Sequence, residues 1–130
     1  MTAVDTNVLV RVVTNDDKAQ AARATAYLRS QEQVFIAKTV LLELEWVLRS
    51  AYAIRRGEIL LALRSLVATS NVEIEDEAAV MQAIDWYGRG IDLADALHVA
   101  SAGRERKFVT FDSALRRKGR KLGLGESAAI

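Results

Sequence analysis

The chain contains no cysteine, no proline and only one histidine among its 130 residues. Without cysteine it can form neither disulfides nor thiolate metal sites, and a single histidine argues against zinc-based hydrolysis. The longest apolar stretch falls short of the roughly 20 residues of a membrane span, because Glu43 and Glu45 interrupt it. No basic region followed by an apolar stretch opens the sequence, so we expect a cytoplasmic protein without membrane association.

The overall composition is ordinary, but the charges are unevenly distributed. Apolar residues make up 51% of the chain and charged residues 27%, as in soluble globular proteins, and the length fits one domain over residues 1–130. Between Arg104 and Lys121, eight basic residues stand against two acids, although the whole chain carries only +1. Such a segment is either a phosphate-binding surface or a solvated helix face.

The spacing of apolar residues predicts short strands that alternate with helices. The strands are predicted at Ala3–Val4, Val34–Ala37, Val72–Ile74 and Phe108–Phe111. The helices are predicted at Thr6–Val13, from Asp16 or Asp17 through Leu28, from a cap at Thr39 to about Tyr52, at Arg56–Ala68, Glu75–Tyr87 and Asp92–Arg104, and from Ser113 onward. This alternation indicates an α/β fold, in which helices cover both faces of a parallel sheet.

Acidic residues stand where ligands of such a sheet bind, beyond the carboxyl ends of the strands. Asp5 and Asp112 end the first and last predicted strands, and Glu43 lies one turn into the helix that follows the second strand. Asp95 lies in the first turn of its own helix. Asp92 is a fifth candidate, because a spacing of three places it on the same side of that helix.

Each acid also has a structural interpretation. Asp5, Asp92 and Asp112 could be helix N-caps that accept hydrogen bonds from backbone N–H groups. Glu43 lies in an apolar helix, where a single acid is unusual unless it is paired or has a function. Its neighbour Glu45 is predicted to face solvent.

Several carboxylates in one cleft would need a counter-charge. Two carboxylates about 4 Å apart repel each other by roughly 4 kcal/mol at an effective dielectric of 20. Mg²⁺ and Mn²⁺ are hard cations that prefer oxygen ligands, and such an ion can activate water and neutralise charge on a phosphate. The acids therefore indicate metal-dependent phosphate chemistry.

Polar residues beside the acids are candidates for a supporting role. Thr6, Asn7 and Thr110 could orient the acids through hydrogen bonds, and turn capping is an equally good interpretation of each. His98 could contact substrate or orient Asp95, or it could be a packed or partly exposed residue without a role in the site.

Four pieces of the sequence together resemble the PIN-domain ribonucleases, specifically the VapC-type toxins of bacterial toxin–antitoxin pairs. The pieces are Val4–Asn7, Thr39 with Glu43, Asp92–His98, and Thr110–Asp112, in that order over nearly the whole chain. The resemblance implies a three-layer fold with a central parallel sheet of about five strands flanked by helices.

The resemblance also implies a site and a reaction. Asp5, Glu43, Asp95 and Asp112 would form a catalytic quartet, in which Asp5 and Asp95 bind Mg²⁺ or Mn²⁺ directly. Glu43 and Asp112 would complete the site, with Asp92 as an accessory. A metal-activated water would then attack an RNA phosphodiester in line.

The implied partners are RNA, a cognate antitoxin protein and a second copy of the chain in a homodimer. The RNA backbone would be held by basic residues, which would make its affinity salt-dependent with little sequence choice. These residues are Arg116, Arg117, Lys118, Arg120 and Lys121.

Two other functions remain open from the sequence. The first is a phosphatase with Asp5 as nucleophile, but such enzymes usually carry a second Asp two residues later, where this chain has Asn7. The second is a catalytically silent PIN-like module that binds RNA or protein. An intact set of acids argues against it, but sequence does not show that the acids converge.

Overall fold

The computed structural model describes residues 1–123 and the backbone of residues 127–128. Contacts divide the chain into two units, Met1–Glu77 and Ala78–Ile130. The first unit contains β1 (Thr2–Ala3), α1 (Thr6–Thr14), α2 (Lys18–Ser30), β2 (Val34–Ile36), α3 (Lys38–Ser50), α4 (Arg56–Ala68) and β3 (Val72–Ile74). The second unit contains α5 (Glu77–Gly88), whose first residue is the last of the first unit. It continues with α6 (Leu93–Ala102), β4 (Phe108–Val109), α7 (Ser113–Leu122) and β5 (Ser127–Ala128).

The first unit is built on a three-stranded parallel sheet in the order β1-β2-β3. Thr2 pairs with Val34 in β2, which in turn pairs with Val72 in β3. Because all three strands run in one direction, the chain leaves each of them at the same edge of the sheet. Asp5 and helix α3 both follow a strand of this sheet, so they start from that common edge.

Carboxylates stabilise the starts of the helices at this edge. Asp5 is the N-cap of α1, and its Oδ1 accepts a hydrogen bond of 2.7 Å from the backbone N–H of Thr6. Helix α3 begins at Lys38 after Ala37, which has no capping side chain. Instead, Oε1 of Glu75, just after β3, accepts a hydrogen bond of 2.9 Å from the Lys38 backbone N–H. The prediction of a cap at Thr39 is therefore wrong.

Apolar side chains from α3 and α4 fill much of the buried interior of the first unit. Leu41, Leu44 and Leu48 of α3 are spaced three and four residues apart and are almost completely buried, as are Ile59 and Leu63 of α4. This is the stripe expected of a helix that packs one face inward.

Glu45 is also buried, at 2% exposure, so the prediction that it faces solvent is wrong. Its Oε2 accepts a hydrogen bond of 2.8 Å from Nε of Arg49, one turn further along α3. Burial of a carboxylate is costly unless it is paired, and the arginine at the favourable spacing of four provides the pair.

The described residues of the second unit form three helices and one short parallel strand pair. Phe108 pairs with Ser127, and Val109 with Ala128. Within the described residues these strands pair only with each other. The described strands thus form a three-stranded sheet and a two-stranded pair, not the predicted single sheet of about five, because β4 and β5 form their hydrogen bonds with each other.

Helices α5 and α6 carry the apolar residues of the second unit, and α7 is amphipathic. Leu115 and Gly119 of α7, four residues apart, are buried, while most of its basic residues are exposed. In the part of the chain that the structure describes, no helix is long and apolar enough to cross a membrane.

Truncation of a buried leucine should cost far more stability than truncation of an exposed one. Leu44 has 0% exposure and Leu61 has 66%. We expect Leu44→Ala to lower the free energy of unfolding by about 2–5 kcal/mol, whereas Leu61→Ala should change it by less than about 0.5 kcal/mol. Urea unfolding of both variants measures the difference, and equal losses would contradict the burial described here.

Candidate functional site

A cavity of about 420 Å³ lies at the carboxyl edge of the three-stranded sheet in the first unit. Two of the predicted acids line it, Asp5 from the start of α1 and Glu43 from the second turn of α3. The cavity is also lined by Thr6, Asn7, Val10, Arg11, Val47 and Tyr52. Asp5 and Glu43 are therefore brought to one space, as their places after parallel strands predict.

Both acids of the cavity keep carboxylate oxygens that no protein group satisfies. Asp5 uses Oδ1 for the cap of α1, and among the described residues its Oδ2 accepts no hydrogen bond. Glu43 is exposed, and its carboxylate forms no hydrogen bond or ion pair within the same part of the chain. Oxygens of this kind are available to a cation or to a hydrogen-bond donor.

Thr6 adds a buried hydroxyl to the same cavity. The residue is only 4% exposed, and among the described residues its Oγ1 has no hydrogen-bond partner. Buried hydroxyls in proteins nearly always have a partner, so the Thr6 hydroxyl is an exception within the part of the chain that the structure describes. It is the backbone N–H of Thr6, and not its hydroxyl, that is bonded to the Asp5 carboxylate.

Arg11 lines the cavity one turn beyond Asn7 and belongs to a polar network. Its Nε donates to Oε1 of Gln20 at 2.6 Å, and its Nη1 lies 3.2 Å from Oδ1 of Asp16. The Tyr52 hydroxyl donates to Oδ2 of Asp16 at 2.9 Å and accepts from Nη1 of Arg11 at 3.4 Å. Hydrogen bonds from the hydroxyls of Tyr52 and Thr14, together with the charge of Arg11, hold the pKa of Asp16 below its usual range.

In the second unit, two of the predicted acids lie close enough to Asp95 to act on its carboxylate. Partial burial, followed by the negative charges of Asp92 and Asp112, raises the pKa of Asp95 above its ordinary value, and His98 opposes this weakly. Among the described residues the Asp95 carboxylate has no hydrogen-bond partner. Crowded carboxylates without a counter-charge are the arrangement that a divalent cation stabilises.

The acids that could be helix caps differ from one another. Asp112 is the N-cap of α7, and its Oδ1 accepts a hydrogen bond of 3.0 Å from the Leu115 backbone N–H. Asp92 occupies the N-cap position of α6 but makes no capping hydrogen bond with its side chain. Thr110 accepts a hydrogen bond of 3.0 Å through Oγ1 from the Asp112 backbone N–H, so it contacts that acid's backbone and not its carboxylate.

The predicted RNA-binding residues lie along α7. Arg117, Lys118, Arg120 and Lys121 are exposed, and Nζ of Lys118 donates to the carbonyl oxygen of Gly90 at 3.3 Å. Arg116 is half-buried, and its Nε is shielded from solvent without a partner among the described residues.

The described residues contain no group of three or more acidic or histidine side chains arranged to hold a metal ion. The structure brings Asp5 and Glu43 to one cavity in the first unit, and in the second it brings Asp92 and Asp112 near enough to raise the pKa of Asp95, after the larger effect of burial. Assembly of the predicted quartet is thus a proposal, taken up below.

Sequence reasoning missed Arg11 and Tyr52 as residues of the cavity. A signal for Arg11 was present, because it follows Asn7 by four residues on one helix and so lies on the same face. Tyr52 carried no such signal, since it lies beyond the end of α3 and reaches the cavity only through the turn that follows the helix.

Asp95→Asn should stabilise the protein in a pH-dependent manner. The raised pKa means that ionised Asp95 is penalised in the folded state, so a neutral amide removes the penalty at neutral pH. Like-charge pairs at this helical spacing cost about 0.2–0.5 kcal/mol, and we expect a gain of that order from urea unfolding. As the pH falls through the folded-state pKa to below the ordinary aspartate range, both forms become neutral and the gain should vanish.

The matched control for this prediction is Asp85→Asn in the same unit. Asp85 lies 3.4 Å from Nε of Arg89, so its replacement removes an attraction and should not stabilise the protein. A gain for Asp85→Asn equal to that of Asp95→Asn would contradict the assignment to carboxylate crowding.

Thr6→Val should raise the free energy of unfolding by about 1 kcal/mol, because an unsatisfied buried polar group costs roughly 1–3 kcal/mol. Thermal or urea unfolding of the ligand-free protein measures the change. Thr2→Val is the contrasting variant, since the Thr2 hydroxyl donates to Oε1 of Gln31 at 2.7 Å and its loss should not stabilise. Loss of stability in Thr6→Val would show that its hydroxyl has a partner after all.

Comparison with known proteins identifies the family. The family model described as the PIN domain, which is a nuclease-type fold, matches residues 2–121. No curated protein and no solved structure matches the chain significantly. The match covers both acid groups and nearly all of the described residues, and the chain therefore belongs to the PIN domain family.

Proposed function

We propose that this protein is a metal-dependent endoribonuclease, the toxin of a toxin–antitoxin pair. The observation that carries the proposal is the cavity of the first unit, where Oδ2 of Asp5 and the Glu43 carboxylate have no partner among the described residues. In a member of a nuclease-type family, such a cavity is suited to a cation and a phosphate.

The donor set fits Mg²⁺ or Mn²⁺. Both ions prefer carboxylate oxygens, and the chain has no cysteine and one histidine, His98, which is exposed. We propose Asp5 and Asp95 as direct ligands, with Glu43 and Asp112 completing the set and Asp92 as an accessory. Burial and the charges of Asp92 and Asp112 raise the pKa of Asp95, and this supports the assignment, because a cation would favour the ionised carboxylate.

When bound, the cation would supply positive charge against the phosphodiester and make a water nucleophilic at neutral pH. The chain's own residues orient the reaction. The hydrogen bond from the Thr6 backbone fixes one oxygen of Asp5 and leaves the other available. Partial burial, together with the charges of Asp92 and Asp112, raises the pKa of Asp95, so its carboxylate takes up a proton at a higher pH than an ordinary aspartate does.

We propose that α7 binds the RNA backbone. Arg117, Lys118, Arg120 and Lys121 are exposed on this helix, and phosphate contacts of this kind position RNA without reading its sequence. Arg116 would contribute less, because part of its guanidinium is buried.

The antitoxin and the homodimer are proposed from the resemblance of the sequence to VapC-type toxins. Trp46 offers one place for a protein contact, because it is 58% exposed and follows Glu43 by three residues on α3. A large exposed aromatic side chain beside a site is typical of interfaces.

Cleavage of total cellular RNA tests the nuclease. We expect the purified, partner-free protein to produce discrete fragments with Mg²⁺ and none with excess chelator. Asp95→Asn should lower the rate by about a hundredfold or more, as loss of an electrostatic element of an active site does. Fragments are resolved by gel electrophoresis and their ends by sequencing.

A matched control makes the result specific. Asp85→Asn removes an acid from the same unit that is paired with Arg89, and it should cleave as the wild type does. Folded wild-type protein that cuts nothing in any condition would overturn the nuclease and favour a PIN-like module that binds RNA or protein without turnover.

A further inference from the structure

Arg11 is fixed in place on one side and free on the other. Its Nε is bonded to Gln20 at 2.6 Å, and its Nη1 is bonded to Asp16 at 3.2 Å and to the Tyr52 hydroxyl at 3.4 Å. Its Nη2 has no protein partner among the described residues. A guanidinium held through two nitrogens retains its remaining N–H donors in a defined position, which lowers the entropy lost when a ligand binds.

Arg11 lines the same cavity as Asp5 and Glu43. Arg11 follows Asp5 by six residues, which is a rise of about 9 Å along α1. A group bound by Arg11 therefore lies beside the acids and not between them. For a polynucleotide, such a position corresponds to a phosphate that neighbours the one at the acids.

The chemistry of the cavity matches a nucleotide. Two carboxylates repel a phosphate, so a backbone that enters the cavity needs a cationic contact beyond the acids, and the arginine fork suits phosphate oxygens. Val10, Val47 and Tyr52 add apolar wall, and a base or ribose can pack on an aromatic ring and its aliphatic neighbours. The volume of about 420 Å³ lies within the range of small-ligand sites, roughly 300–1,000 Å³.

We propose that Arg11 binds the RNA phosphate next to the cleaved bond, with the base or ribose of that nucleotide packed against Tyr52 and Val47. This inference rests on the proposed function in that it takes RNA as the ligand. Asp16 and Gln20 act as positioning residues, because they hold the arginine in place.

Binding of a short labelled single-stranded RNA of mixed sequence tests this role independently of cleavage. We would measure fluorescence anisotropy at several salt concentrations, in the Asp95→Asn background so that the RNA stays intact. Arg11→Gln should weaken binding about tenfold. It should also reduce the slope of log affinity against log salt by about 0.7, the value for one phosphate contact on a single strand.

Matched variants separate this contact from a general loss of charge or of stability. Arg64→Gln removes one exposed positive charge from the same unit, at a residue that does not line the cavity, and it should leave the slope unchanged. Arg11→Lys should keep the slope but weaken binding, because the charge remains and the fork is lost. Melting temperatures show whether each variant is folded. If Arg11→Gln does not fold, the comparison of Arg11→Lys with the unsubstituted Arg11 is the test.

The outcomes distinguish this inference from the proposed nuclease. An unchanged slope and affinity for folded Arg11→Gln would overturn the role of Arg11, whatever the cleavage assay shows. Failure of the wild type to bind RNA would overturn it as well. Reduced slope and affinity for Arg11→Gln, in a protein whose wild type cuts no RNA, would support the phosphate contact and reject the nuclease.

Discussion

The parallel pairing of β1 with β2 is the constraint on which the first unit depends. Because Thr2 and Ala3 run alongside Val34 and Phe35 in the same direction, the residue after β1 and the helix after β2 emerge at one edge of the sheet. An antiparallel pairing of the same two segments would place Asp5 and α3 at opposite edges. The cavity and its two acids are thus a consequence of strand direction before any side chain is considered.

Much of this arrangement could be predicted from local patterns. Every predicted helix is present, and every predicted strand has a counterpart, because apolar spacing reports which residues turn inward. The positions of Asp5, Glu43 and Asp112 followed from their places after strands. The alternative interpretation of Asp5 and Asp112 as helix caps also came from the sequence, and both residues cap a helix. Capping and ligand binding use different oxygens, so one interpretation does not exclude the other.

The remainder depended on interactions that local patterns do not encode. Helix α3 is apolar around most of its circumference, so the sequence does not define its solvent face, and the prediction that Glu45 faces solvent is wrong. Arg49, which stands four residues later and pairs with Glu45, was the signal in the sequence that a buried carboxylate could be neutralised. The pairing of β4 with β5 was not predicted, because no strand was predicted near Ser127 that could be the partner of β4. The Arg11–Asp16–Tyr52 network joins residues up to 41 positions apart, and only the folded chain brings them together.

The cap formed by Asp112 ties the basic helix to the acids of the second unit. The same carboxylate accepts the Leu115 backbone hydrogen bond at the start of α7 and adds negative charge around Asp95. A proton or cation that neutralises Asp112 reduces the repulsion of the ionised Asp95 carboxylate. The same event weakens the cap of α7. By reciprocal linkage, a change that orders the first turn of α7 alters the affinity of these acids for positive charge. The stability of the first turn of α7 and the charges of these acids are therefore coupled.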